Sequence, residues 1–195
     1  ILNNTLYHNV LENQARTWES NWHPALGILY SQDILAQNNR VYENYGEGIS
    51  LMQSRRINVT RNVVHDNYSV NLYIDGSVQT RHAANLVYST GHQDYFRDFY
   101  HTPGKPPLPA SGIQIANENW SYWANPLAAS DNTIINNVFI KNRAALNYGS
   151  YQTGGGLNNV RFAFNTLYGQ VETALQIDPD THSNNEIAKN IGVQL

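Results

Sequence analysis

The sequence predicts an all-β chain wound as a parallel β-helix, a solenoid of short strands stacked coil on coil. Three observations predict it. Asparagine supplies 27 of the 195 residues, a six-residue segment led by Asn recurs in seven copies, and a short alternating apolar segment follows six of them. Asn disfavours helix interiors and ordinary strands but tolerates left-handed turns. Beside so much Val, Ile, Leu and Tyr, it implies many short strands joined by many tight turns.

The first strand of each unit is the Asn-led segment. NRVYEN (39–44) recurs as NVVHDN (62–67), 23 residues on, and as NLVYST (85–90) after another 23. Weaker copies are NTLYHN (4–9), NVFIKN (137–142), NTLYGQ (165–170) and NIGVQL (190–195). The leading residues Asn4, Asn39, Asn62, Asn85, Asn137, Asn165 and Asn190 form one polar column. Five positions on, Asn9, Asn44, Asn67, Thr90, Asn142 and Gln170 form a second. Stacking turns such columns into ladders, each amide bonding to the coils above and below, which satisfies polar groups inside a core.

The second strand is the alternating segment: GILYS (27–31), GISLM (48–52), NLYID (71–75), GIQIA (112–116), ALNYG (145–149) and ALQID (174–178). Ile49 and Leu51, Leu72 and Ile74, Ile113 and Ile115, and Leu175 and Ile177 share one face. Ser50, Tyr73, Gln114 and Gln176 share the other. Period-two alternation is a strand with one buried face. A third patch precedes the leading Asn: INVTR (57–61), TII (133–135) and VRFAF (160–164). A unit of three short strands cannot bury its apolar face alone and must stack on its neighbours. The expectation is about six to seven coils in a single domain over 1–195. Both ends fall inside repeats, so the sequence reads as part of a longer chain.

The block VYENYGEGISLMQS with VTRNVVHDNYSVNLYIDGS, followed by NLVYSTG and SGIQIANE, resembles the right-handed parallel β-helix repeat family. That is the superfamily of pectate lyases, polygalacturonases, alginate epimerases and phage tailspikes. The likeness covers most of the chain and is greatest to bacterial β-helix repeat proteins of unassigned function. It implies a right-handed solenoid and Asn ladders. It specifies chemistry weakly, because this fold carries many functions. The active-site motifs of pectate lyases and polygalacturonases are absent.

Composition bounds the partners. Net charge is −3 and only 14% of residues are charged, so no basic footprint points to nucleic acid. No apolar stretch approaches the roughly 18 residues of a membrane span. With no cysteine, disulfides and thiolate metal sites are excluded.

Insertions in a solenoid map to loops, often on the functional face. Three interrupt the repeat: 11–25, 91–111 and 117–130. The last two flank one strand, 112–116, and are expected to wall the outward face around Gln114, with Tyr73 and Gln176 extending a groove along the axis. All four tryptophans lie in these insertions, with Tyr95, Phe96, Phe99, Tyr100 and Tyr122. Amphipathic rings beside a groove suit sugar rings, so Tyr95, Trp120 and Trp123 join Tyr73, Gln114 and Gln176 as candidate substrate-binding residues. The same rings would also serve simply to pack the loops down.

For chemistry, Asp75 ends one strand and Glu118 lies just past the end of the next. Stacked strands are about 4.8 Å apart, close enough for the two carboxylates to bind Ca²⁺ or to act as acid and nucleophile on a glycosidic bond. Asp75, in IDGS, also suits a turn former. Arg97, His101 and Lys105 offer a base and cations for a lyase acting on a uronic acid polymer. Tyr7, Tyr42, His65, Tyr88, Ile140 and Tyr168 share a repeat position and read as an outward stack along a sheet. Of four N-x-Ser/Thr sequons (Asn3, Asn58, Asn67, Asn119), Asn67 is expected to be sealed in a ladder. The functional expectation is a secreted or cell-surface protein that binds or degrades a polysaccharide, lyase first and glycoside hydrolase second, with Ca²⁺ as a possible cofactor. The alternative is a noncatalytic structural or adhesive module associating through its coil ends.

Overall fold

The computed structural model describes residues 1–118, 128–151 and 155–193. Each of six coils contributes one strand to each of three parallel sheets, and a seventh adds one strand to the first. The first holds β1 (Thr5–Tyr7), β4 (Arg40–Asn44), β7 (Val63–Asn67), β10 (Leu86–Tyr88), β13 (Val138–Ile140), β16 (Thr166–Tyr168) and β19 (Ile191–Val193), in that spatial order. The second holds β2 (Pro24–Leu29), β5 (Glu47–Met52), β8 (Val70–Asp75), β11 (Ser111–Ala116), β14 (Ala144–Gly149) and β17 (Thr173–Ile177). The third holds β3 (Leu35–Gln37), β6 (Asn58–Thr60), β9 (Arg81–Ala83), β12 (Thr133–Ile135), β15 (Arg161–Ala163) and β18 (Glu186–Ala188). No helix among the described residues is long and apolar enough to cross a membrane.

The register is the one the repeat implies. Tyr7 pairs with Tyr42, Tyr42 with His65 and His65 with Tyr88 in the first sheet. In the second, Ser50, Tyr73, Gln114, Asn147 and Gln176 are successive partners. Ile49, Leu51, Leu72, Ile74, Ile113, Ile115 and Leu146 point inward and are fully buried, with Phe139 and Phe162 closing the core from the other two sheets.

The first ladder is complete. Side-chain amide Nδ2 donates to Oδ1 of the next coil from Asn4 to Asn39 (2.9 Å), Asn39 to Asn62 (3.0 Å), Asn62 to Asn85 (3.0 Å), Asn85 to Asn137 (2.9 Å), Asn137 to Asn165 (3.0 Å) and Asn165 to Asn190 (3.0 Å). The residue before every rung is in the left-handed conformation: Asn3, Asn38, Arg61, Ala84, Asn136, Phe164 and Lys189, with φ between 56° and 58°. Four of these carry side chains that disfavour that region, so the stack of amide bonds over-determines the turn.

The second ladder departs from expectation at one rung. Asn9 donates to Asn44 (2.9 Å) and Asn44 to Asn67 (2.7 Å), but Asn67 then donates to Asn71 (2.9 Å), and Asn71 to Asn142 (3.2 Å). Thr90 is exposed and outside the column. The residues before Asn9, Asn44, Asn67, Asn142 and Gln170 have positive φ, and Ser89 does not. Without that turn the chain runs out into loop 91–111, and Asn71 fills the vacant rung. Asn67 is fully buried, as its ladder place requires. A third, shorter ladder links Ser31, Ser54 and Ser77: the Ser54 and Ser77 hydroxyls each accept the backbone N–H of the serine in the coil before, at 3.0 Å. The outward ring stack is also formed: Tyr7, Tyr42, His65 and Tyr88 lie face to face at 5.4, 4.9 and 4.4 Å.

Candidate functional site

The outer face of the second sheet would carry an uninterrupted period-two pattern were it not for a corner near its start. Pairing skips one position there, between Val70–Ser111 and Leu72–Ile113. Asn71 turns inward at this corner to join the ladder, and Leu72 behind it is also inward. The equivalent residues in neighbouring coils are Gly48 and Gly112. A Cβ on Gly48 would stand 2.4 Å from the Asn71 carbonyl oxygen, and one on Gly112 would stand 2.5 Å from Phe139. The bend therefore puts Glu47 and Val70, which strict alternation would send inside, on the outer face with Ser50, Tyr73 and Met52.

Over this face lies a cavity of about 570 Å³, a size usual for small-molecule and sugar sites. Loop 11–25 lines it with Glu19, Ser20, Asn21, Trp22 and His23. The sheet contributes Glu47, Met52, Val70, Tyr73 and Gln114, loop 91–111 contributes Arg97, and Glu118 and Tyr151 complete the wall. At its floor the Ser50 hydroxyl donates to Glu47 Oε2. Tyr73 donates its hydroxyl to Glu118 Oε1 at 2.6 Å, and Glu118 N–H donates to Asp75 Oδ1 at 2.9 Å. Gln114 Nε2 donates to the Tyr151 hydroxyl (3.1 Å), and Asn147 donates to Gln114 Oε1 (2.9 Å).

The electrostatics follow from burying Glu47 near two further carboxyl groups, Asp75 and Glu118. Burial pushes the Glu47 carboxyl up to about 8; the Ser50 hydrogen bond opposes this, while the negative charges of Glu118 and Asp75 add to it. Burial, then Asp75 and Glu118, hold the Tyr73 phenol well above its ordinary range. On the opposite wall the Arg97 guanidinium lies 4.1 Å from the Trp22 ring centroid and 4.7 Å from that of Phe99, and the Arg143 guanidinium lies 4.5 Å from Phe99. This alternating pillar of rings and cations ties the first insertion to the second and to β14.

The family of right-handed β-helix regions matches residues 1–191. The chain belongs to that family. Neither curated proteins nor solved structures gave a match to it. The family establishes the hand of this β-helix, whose strands and sheets are those described above.

The β-helix brings together some of the expected residues and separates others. Tyr73, Gln114, Glu118 and Arg97 line one cavity. Asp75 is fully buried and, through its bond to the Glu118 N–H, fixes where that residue leaves the strand. Gln176 lies two coils beyond Gln114, bonded to Arg143 at 3.3 Å, and does not line the cavity. Tyr95 is buried, tilted against Tyr45 at 5.2 Å, and packs its loop down. His101 and Lys105 are exposed beyond the cavity, Lys105 lying over the Tyr100 ring at 3.9 Å. Trp120 and Trp123 lie outside the described residues.

Glu47 and Tyr151 were not foreseen. Glu47 was hidden by the corner at Gly48. Tyr151 belongs to a longer connection, 150–160, that the glycine run GGG at 154–156 could have flagged. Among the described residues no group of three or more His, Cys, Asp or Glu is arranged to hold a metal ion. Asp75 Oδ1 and Glu118 Oε1 are moreover taken up by protein donors.

Proposed function

We propose that this β-helix protein is an extracellular polysaccharide-cleaving enzyme that works by hydrolysis in the cavity over β5, β8 and β11. The observation that carries the reading is Glu47, a carboxyl held protonated at neutral pH in the same open cavity as a second carboxyl, Glu118. A carboxyl raised by its surroundings beside a second carboxyl is an arrangement that glycosidic cleavage uses. Glu47 would give its proton to the leaving oxygen. Glu118, oriented by Tyr73 and Asp75, would support the charge developing at the sugar carbon or activate water. Trp22 and Tyr151 offer ring faces to the sugar. Hydrolysis is favoured over elimination because, of the three residues suited to a lyase, Arg97 alone lines the cavity.

The test is a panel of neutral and acidic polysaccharides assayed for new reducing ends and for absorbance at 235 nm, with and without Ca²⁺. Reducing ends without absorbance, falling about 10²–10⁴-fold in Glu47→Gln, are expected. Absorbance at 235 nm would make the enzyme a lyase instead. Silence on both readouts would favour the second reading, a surface module that stacks through its coils. That reading is supported by Ile187 on β18, which follows Ile134 and Phe162 in the inward column yet is exposed at the last coil, where a further coil or a second molecule would cover it.

A further inference from the structure

We infer that Arg97 is an anion seat, and that the ligand of this cavity carries a carboxylate or sulfate group on the sugar it presents to loop 91–111. The inference rests on the cavity being a carbohydrate site and adds the substrate class to that reading. Arg97 lines the cavity and is partly desolvated. The charged or titratable groups that act on it are Tyr68, Tyr151 and a second cation, Arg143. The arginine ion pairs among the described residues go to Arg56, Arg143 and Arg161, none to Arg97. Among the described residues its guanidinium donates to the backbone carbonyl of Glu19, at 3.4 Å. A guanidinium has five N–H donors in a rigid fork, so most of that capacity is open.

The fork is also held in place. Trp22 and Phe99 both lie within 4.7 Å of the guanidinium carbon, which fixes the group and leaves its edge for planar or tetrahedral oxyanions. Loops 11–25 and 91–111 are joined by the same contact, and by Arg16 donating to the Gln93 carbonyl at 3.1 Å. The seat is therefore built before a ligand arrives. The carboxyl groups at the floor and the cation on the wall give the cavity two poles. A sugar with its anionic substituent on Arg97 would be held in a single orientation over Glu47 and Glu118, whereas a neutral sugar would lack that anchor.

The experiment is equilibrium binding, by calorimetry, of uronate, sulfated and neutral oligosaccharides of equal length. Free glucuronate and inorganic sulfate are included, at low and at physiological salt. At least tenfold tighter binding of an anionic oligosaccharide than of the neutral one is expected, declining with salt and collapsing toward unity in Arg97→Gln. Preference for uronate alone assigns a carboxylate, and for the sulfated chain alone a sulfate. Equal binding of neutral and anionic chains, or a preference that survives Arg97→Gln, overturns the seat. If no oligosaccharide binds but a free anion does in an Arg97-dependent manner, the seat stands and the polysaccharide reading falls; if nothing binds, both fall. Should Arg97→Gln lose all binding, Arg97→Lys, which keeps a charge between the two rings, decides: a retained preference supports the seat and a lost one overturns it.

Discussion

Glu47 and His82 are both buried, and burial moves their proton affinities in opposite directions. Glu47 is raised to about 8, so the folded protein holds a proton that the unfolded chain releases near pH 4.5. Its contribution to stability is whole below that pH and is lost as pH rises through 8, at about 1.4 kcal/mol per unit. Glu47→Gln keeps a partner for Ser50 and cannot ionise. Its melting temperature should match that of the parent at pH 5 and exceed it at pH 9. His82 sits in β9 between Val59 and Ile134, fully buried, with no partner for either ring nitrogen among the described residues. Burial lowers it to about 3. The unfolded chain takes up the proton first, so stability is full above pH 6.5 and falls as pH drops toward 3. His82→Leu should flatten that acid limb and raise the melting temperature at pH 5; an unchanged slope would mean that another group sets it.

At the scale of the element, a ladder is only as strong as its rungs. Asn71 accepts from Asn67 and donates to Asn142. Replacing it by Leu strands both, at about 1–3 kcal/mol per unsatisfied group. Urea unfolding should show Asn71→Leu destabilised by several kcal/mol, comparable to Asn62→Leu in the first ladder, with Thr90→Val changed by about 1 kcal/mol or less. This pair also marks where sequence reading stops. The first ladder was legible because seven asparagines hold one position in the repeat, and the strands followed from their fixed offset. Asn71 was not, because it reaches the column from a different strand when the chain leaves the coil at Thr90. Glu47 was missed for a related reason: alternation predicts faces only where a strand is straight, and Gly48 is a corner. Of the two insertions expected to wall the groove, 91–111 contributes Arg97 and 117–130 contributes Glu118 among the described residues, whereas 11–25, not assigned to the groove from the sequence, supplies five lining residues. Gln176 fell outside because the cavity is centred on β5, β8 and β11 and does not follow the whole axis.

For the whole molecule, burial is graded along the axis. β8, β11 and β14 are buried at every position, whereas β17 is only partly buried and β1, β18 and β19 are largely exposed. In a stack where each coil touches only its neighbours, opening proceeds from the least supported coils. Hydrogen exchange followed by mass spectrometry should show the slowest amides in β8, β11 and β14 and rapid exchange in β1, β18 and β19. Uniform protection would show that the coils open as one unit. The cavity lies over β5, β8 and β11, so its floor rests on the protected middle of the stack, while Arg97 reaches it from loop 91–111.

The first ladder has a further property: every link runs the same way, from an amide nitrogen to the oxygen of the following coil. The two faces of the solenoid are therefore chemically unlike, one offering oxygen where the other offers N–H. Two molecules meeting through the same face about a twofold axis would set like against like, donor to donor or acceptor to acceptor. Any partner that prolongs the ladder has to arrive with its own chain direction preserved, a translation-and-rotation relation that does not close on itself. The asparagine column thus carries a rule of symmetry: contacts made through it build polar rows, and paired dimers must use some other surface.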